Sequence, residues 1–231
     1  ALTEQMEIPD IQDLGFEERL GLLVDREMTE REDRRLKSRL RHAKLRQSAC
    51  VEDIDYRHPR GLDKSLILDL AGCQWIKRHL NIMITGPTGV GKTWIACALA
   101  QKACREGYRA LYLRLPKLLQ ELPIAKGDGT YINLLTRLAK IDVLILDDWG
   151  LSKLMAEQRR DLLEILEDRY DSRSTIVTSQ LPLDKWHDII GDPTLADAIL
   201  DRLVHNAYKI NLRGESMRKR KTLLTAPMGS G

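Results

Sequence analysis

Aromatic side chains are scarce in this chain: they make up 5% of it, with a single phenylalanine, so its core has to be built from Leu, Ile, Val and Ala. The four cysteines (Cys50, Cys73, Cys97, Cys104) form no C-x-x-C pair, which removes the common zinc and dithiol spacings. Cys97 and Cys104 fall two turns apart on one face of a helix, which predicts packing and reduced thiols, as in a cytoplasmic protein. No apolar run approaches the roughly 20 residues of a membrane span, and no secretory leader pattern opens the sequence. A strong charge of one sign is missing too, since 37 basic and 34 acidic residues leave a net charge of +3. There is no internal repeat, no guanine-reading N-K-x-D motif and no base-reading module.

What is present suits a folded α/β protein: 231 residues, 43% apolar and 31% charged, enough for one sizeable core and a smaller accessory module. Residues 13–48 have helical periodicity through Phe16, Leu20, Leu23, Val24, Leu36, Leu40 and Ala43. Thr29 with Glu32 three positions on has the form of a capping box, which predicts a break between two helices near residue 29. Residues 53–63, containing His58-Pro59-Arg60-Gly61, read as an irregular linker. Beyond it strands alternate with helices. Strands are expected at 81–85, 109–113, 143–146, 175–178 and 207–212. Helices are expected at 92–105 (closed by Gly107), twice within 116–140, and at 156–170, 183–189 and 194–203. That alternation predicts a parallel sheet covered on both faces. The expected division is a helical region at 1–52, an α/β domain at 53–225 and a disordered tail at 226–231.

Gly86-Pro87-Thr88-Gly89-Val90-Gly91-Lys92-Thr93 satisfies the phosphate-loop pattern G-x-x-x-x-G-K-[ST], between a strand and a helix as its mechanism requires. Its backbone N–H groups and the following helix N-terminus suit a phosphate, Lys92 suits the β- and γ-phosphates, and the Thr93 hydroxyl suits Mg²⁺. Trp94 follows directly and is counted with the nucleotide-binding residues. The apolar run Val143-Leu144-Ile145-Leu146 ends in Asp147-Asp148, where Asp147 would hold Mg²⁺ and Asp148 would orient the attacking water. An aspartate is shorter than the glutamate often found there by one C–C bond, about 1.5 Å, which predicts action through water or slow hydrolysis. Ile54 and Tyr56 in the linker are candidate walls for the base. With no guanine motif, ATP is the expected nucleotide.

Arg34, Arg35, Lys37, Arg39, Arg41, Lys44 and Arg46 follow one another with no acid between them. A solvated helix face ordinarily mixes signs, so this block suits DNA phosphates. The same residues also suit ion pairs with Glu27, Glu30 and Glu32, and both readings stand.

The phosphate loop, Asp147-Asp148-Trp149-Gly150, Thr178-Ser179-Gln180-Leu181-Pro182 and Gly214-Glu215-Ser216-Met217-Arg218-Lys219 together resemble IstB, the ATPase helper of certain bacterial insertion sequences. That family is related to the helicase loader DnaC and the initiator DnaA, and the resemblance runs over nearly the whole chain. It implies an AAA+ P-loop NTPase fold with strand order 5-1-4-3-2, a short C-terminal lid and a small helical N-terminal region. It also implies a transposition function: assembly as an oligomer or spiral on duplex DNA in the ATP state, deformation of that DNA, and recruitment of a transposase. By motif, Ser179 or Gln180 resembles sensor 1, Arg202 an arginine finger and Arg218 sensor 2. Lys117, Lys126 and Arg137, with Tyr131, flank the helical insertion that related initiators and loaders turn toward DNA. A helicase loader is the alternative reading. A small-molecule kinase would leave the basic block unexplained, and a catalytic transposase lacks a carboxylate set apart from the ATP site.

Overall fold

The computed structural model describes residues 11–217. Its strands are β1 (Asn81–Thr85), β2 (Ala110–Arg114), β3 (Val143–Trp149), β4 (Ser174–Ser179) and β5 (Ala207–Asn211). They form one parallel sheet in the order β2-β3-β4-β1-β5, which read from the opposite edge is the order 5-1-4-3-2 that the resemblance implies. The helices are α1 (Phe16–Ala43), α2 (Lys64–Ala71), α3 (Gln74–Lys77), α4 (Lys92–Arg105), α5 (Leu115–Gly127), α6 (Tyr131–Ala139), α7 (Ala156–Glu167), α8 (Trp186–Ile190) and α9 (Pro193–Val204).

The sheet sorts its side chains by the two-residue period of a strand. Ile82, Ile84, Val143, Ile145 and Ile176 enter one core, shared with α2, α3, α4 and the end of α1. Met83, Leu144, Leu146 and Val177 enter the other, shared with α5 to α9. Strands buried on both faces read as continuous apolar runs, as β1 and the start of β3 do. On α4, Ala96, Ala100 and Ala103 are small and fully buried, so the helix lies close against the sheet. Cys97 and Cys104 are buried beside them as free thiols, the packing role that their spacing predicts. The helix stops at Gly107, whose φ of +96° lets the Tyr108 N–H donate back to Ala103 O at 3.0 Å.

Two local expectations are corrected. No break occurs near residue 29: α1 runs unbroken, and the Thr29 hydroxyl donates to Asp25 O, one turn back, at 2.9 Å. A threonine within a helix satisfies itself this way, and pairs such as Arg31–Glu27 (2.6 Å) brace the same stretch. The helix then ends at Ala43, earlier than expected, because Lys44 takes a left-handed conformation (φ 50°). Helix α2 directly after the linker went unforeseen, although Asp63 caps it by accepting from the Ser65 and Leu66 N–H groups at 2.8 and 3.3 Å.

Candidate functional site

The phosphate loop turns between β1 and α4, at the C-terminal end of an interior strand flanked by β4 and β5. Its first glycine, Gly86, has φ +144°, and any Cβ there would collide with the Leu212 carbonyl. Its last, Gly91, has φ +97°, and a Cβ would come within 2.6 Å of Arg60 Nη1. Arg60 is 2% exposed. It donates to Val90 O in the loop, to Asp55 O in the linker and to Met217 Sδ, each at 3.0 Å. The Met217 N–H donates to Gly89 O at 3.0 Å, so linker and C-terminal segment both close on the loop. Nothing in the linker's composition marks Arg60 for this work, and sequence reasoning passed over it.

Lys92 Nζ donates to Gly86 O (2.7 Å) and Pro87 O (2.8 Å), which holds the ammonium across the inside of the loop. Next to it the Thr93 hydroxyl donates to the Asp147 carboxylate, at 2.8 Å to Oδ1 and 3.1 Å to Oδ2. Asp147 is fully buried, and a buried carboxylate needs partners. Besides Thr93 it accepts from the Tyr112 hydroxyl at 2.5 Å and from the Thr178 hydroxyl, and Arg46 Nη1 lies 3.6 Å from Oδ2. Burial first, and then the bond to Asp147, push the Tyr112 phenol above its ordinary pKa, so it remains a neutral donor.

The strand register slips between Leu146 and Trp149, and this bulge re-aims the second acid. Asp148 sits in a left-handed conformation, φ 63°. Its Oδ2 accepts from Arg114 Nε at 2.8 Å and lies 4.0 Å from Arg46 Nη1. Thr178 joins the two acids, since its oxygen also accepts the Asp148 N–H at 3.4 Å. Sequence reasoning missed Tyr112 and Thr178. For Thr178 there was a signal, a hydroxyl inside an otherwise apolar buried strand.

The residues resembling sensor 1 face different ways. Ser179 is buried and donates to Trp149 O at 2.9 Å, whereas Gln180 Oε1 accepts from Thr88 of the phosphate loop at 2.7 Å. Arg202 pairs with Glu167 and donates to Ala198 O at 2.9 Å. Its carbonyl accepts from Asn81 Nδ2 at 2.9 Å, at the start of β1, so Arg202 sits at the opposite end of that strand from the loop. Five residues of strand put about 16 Å between that end of β1 and the phosphate loop. Arg218 lies outside the described residues. Ile54 is buried, and Tyr56 and Trp94 are partly buried in the same core beneath the linker.

Of the basic residues, Arg34, Arg35, Lys37, Arg41 and Lys44 are exposed, with Arg34 near Glu27 at 3.4 Å. Arg39 donates instead to Cys104 O at the end of α4 (2.8 Å), and Arg46 reaches the acid pair. Lys117 lies 3.7 Å from Glu121, and Arg137 is exposed. Lys126 donates to the buried Asp161 at 2.6 Å, and the Tyr131 hydroxyl lies between Asp161 (3.0 Å) and Glu164 (2.7 Å).

A hydroxyl and a carboxylate side by side, both hard oxygen donors, fit Mg²⁺ bound partly by phosphates and water rather than in a protein cage. Among the described residues no group of three or more His, Cys, Asp or Glu is arranged to hold a metal ion. No described helix is long and apolar enough to cross a membrane.

Comparison with known proteins gives a consistent picture. The family model described as IstB-like ATP binding protein matches residues 1–225. A putative insertion-sequence ATP-binding protein of Sinorhizobium fredii is 55% identical over 219 residues, 95% of this chain and 89% of that protein. The putative ATP-binding protein of insertion sequence IS21 from Pseudomonas aeruginosa is 35% identical over 206 residues, 89% of this chain and 78% of that protein. Among solved structures, DnaI superposes with a TM-score of 0.62 at 23% identity, covering 71% of this chain and 91% of its own. The DnaC helicase loader does so with 0.59 at 21%, covering 74% and 99%. At such identities these structures speak for the fold alone.

Proposed function

The chain belongs to the IstB-like ATP-binding family and is an AAA+ transposition-helper ATPase; from that premise we propose that its ATPase cycle controls assembly on target duplex DNA, where it deforms the DNA and recruits a transposase. The observation that carries the nucleotide chemistry is Lys92 held across the phosphate loop while the adjacent Thr93 is hydrogen-bonded to the buried Asp147. Lys92 leaves its carbonyl partners for the β- and γ-phosphates, while the loop N–H groups and the α4 N-terminus bind phosphate oxygens. Thr93 and Asp147 would hold Mg²⁺, which would supply charge neutralisation to the phosphates. Asp148 orients the attacking water once Arg114 and Arg46 loosen their hold, and Gln180, bonded to the loop through Thr88, senses the γ-phosphate. Arg202, remote from its own loop, completes the site of a neighbouring copy, which ties hydrolysis to assembly. Arg218 takes the sensor 2 role.

Support for self-association comes from α1, where Phe16, Leu20, Val24 and Met28 repeat every four residues and are 71, 47, 49 and 56% exposed. Support for DNA contact comes from Arg34, Arg35, Lys37, Arg41 and Lys44, exposed together along the same helix and the turn after it. With no base-reading module, DNA is recognised through backbone and shape. The likeness of fold to DnaI and DnaC keeps a helicase loader as the second reading. Binding to labelled duplex and single-stranded DNA with ATP, ADP or a non-hydrolysable analogue, with assembly size followed in parallel, tests both. Duplex binding by large assemblies only in the ATP-like state is the expected result. Preference for single strands favours the loader, and no binding in any nucleotide state refutes both.

A further inference from the structure

Arg46, the last cation of the basic block, is turned toward the acid pair of the nucleotide site. Helix α1 ends at Ala43, Lys44 turns the chain in a left-handed conformation, and Ala43 and Ala49 are buried on either side of the turn. That anchoring directs Arg46 back into the nucleotide site. Its Nη1 lies 3.6 Å from Asp147 Oδ2 and 4.0 Å from Asp148 Oδ2. The two carboxylates thus face two guanidiniums, and these differ in backbone setting. Arg114 belongs to β2, hydrogen-bonded into the sheet. Arg46 belongs to a turn between a helix end and a short 3-10 segment (Val51–Asp53), with its side chain 43% exposed.

The carboxylate that Arg46 faces is the one that, with Thr93, offers hard oxygen donors to a divalent cation. A divalent ion ligated by Asp147 repels a guanidinium a few ångströms away, and in a partly buried site that repulsion is only weakly screened. We propose that Arg46 is a tethered cation that competes with Mg²⁺ for Asp147, so that loading Mg²⁺·ATP ejects it and is felt in the 44–50 turn and in α1. This rests on the reading of Thr93 and Asp147 as the Mg²⁺ ligands. It supplies a physical link that the assembly cycle needs: the ejected side chain ends the same basic segment whose cations are exposed on α1. The state of the nucleotide thereby has a route to the N-terminal helix through Arg46, beside the packing that α1 shares with α4.

The test uses the full chain as wild type, Arg46→Gln and Arg46→Lys. Binding of a fluorescent ATP analogue is titrated against Mg²⁺, and hydrogen exchange of residues 44–50 is followed without nucleotide and with Mg²⁺·ATP. Arg46→Gln is expected to reach half-maximal binding at about three- to tenfold lower Mg²⁺. Arg46→Lys, which keeps the charge without the planar fork, is expected to fall between. In wild type, amides 44–50 exchange faster with Mg²⁺·ATP, and in Arg46→Gln they are already fast without it. The same Mg²⁺ dependence in Arg46→Gln as in wild type overturns the proposal. So does loss of ATP binding by Arg46→Gln at saturating Mg²⁺, which would make Arg46 a phosphate ligand. Should the variants fold poorly, unchanged protection of 44–50 in wild type on loading Mg²⁺·ATP overturns it as well. Wild type that binds no ATP at any Mg²⁺ concentration refutes the Mg²⁺-site reading itself, a result distinct from all of these.

Discussion

Removing one hydroxyl, in Tyr112→Phe, tests how the site keeps a carboxylate in its core. Tyr112 donates to Asp147 Oδ2 at 2.5 Å, and Asp147 is fully buried. The phenylalanine keeps the packing and takes away the donor. A hydrogen bond to a charged group contributes about 1.5–3 kcal/mol. For a domain of this size each kcal/mol shifts the melting temperature by about 2–4 °C, so a fall of about 3–12 °C is expected. Thermal unfolding by circular dichroism reads it directly. With Mg²⁺·ATP bound the gap between wild type and variant should narrow, because Asp147 then has a cation in place of the lost donor. The sign with pH is also set. Burial raises the folded-state pKa of Tyr112 above its ordinary value of 10.0. The neutral phenol therefore stabilises the fold below about pH 10, and wild type loses that advantage as the pH climbs further. Adding Thr178→Val should cost more than the two single changes summed, since both hydroxyls serve one carboxylate. An unchanged melting temperature, or an equal loss with and without Mg²⁺·ATP, would refute the reasoning.

Two further substitutions separate surface charges by role. Arg202→Ala should change stability by less than about 1 kcal/mol, since its partner Glu167 is largely exposed, and should leave ATP binding by the isolated chain intact. Turnover by the assembled protein should fall about 10³-fold or more, measured as ATPase rate against protein concentration; an equal loss of ATP binding by monomer would count against a role in a neighbour's site. Lys126→Ala should destabilise the fold by about 1–3 kcal/mol in urea unfolding, because it strips a charged partner from the buried Asp161. Were Lys126 a DNA-backbone contact instead, stability would hold and the salt slope of DNA binding would drop by about 1.

How legible the molecule is in its sequence depends on the range of the forces involved. The phosphate loop is a local pattern and falls at the strand and helix boundaries that its spacing predicts, whereas β3 runs on to Trp149, three residues past its expected end, and takes Asp147 and Asp148 into the strand. Sheet order came through resemblance, since a period-two pattern says which residues are buried and nothing about which strands are neighbours. Thr29 shows a local pattern misleading. Four residues suffice to write a capping box, but the surrounding helix offers the threonine a carbonyl one turn back. The basic block shows the opposite difficulty. Seven cations look alike in a line of text, yet one caps α4, one meets the acid pair and five face outward. Only the end of α1 at Ala43 and the burial of Ala49 sort them. Arg60, Tyr112 and Thr178 were hidden for the same reason, since each acts on residues about 30 to 160 positions away.

The place of β1 in the sheet bears on how the chain is made. Its neighbours on both sides, β4 and β5, come later in the sequence, with Ile82 pairing with Ile176 and Asn81 with Ala207. A growing chain that has emerged through β3 holds every residue of the phosphate loop, but no strand that flanks β1. The strand leading into the loop is held on both sides only when the Gly86 N–H finds Ser179 O and the Thr85 carbonyl finds the Leu212 N–H. At about 5–20 residues per second, the stretch from Gly86 to Leu212 takes roughly 6–25 s to synthesise. For that interval the ribosome carries an apolar strand in need of cover, and the nucleotide can select only molecules in which β4 and β5 have already been made.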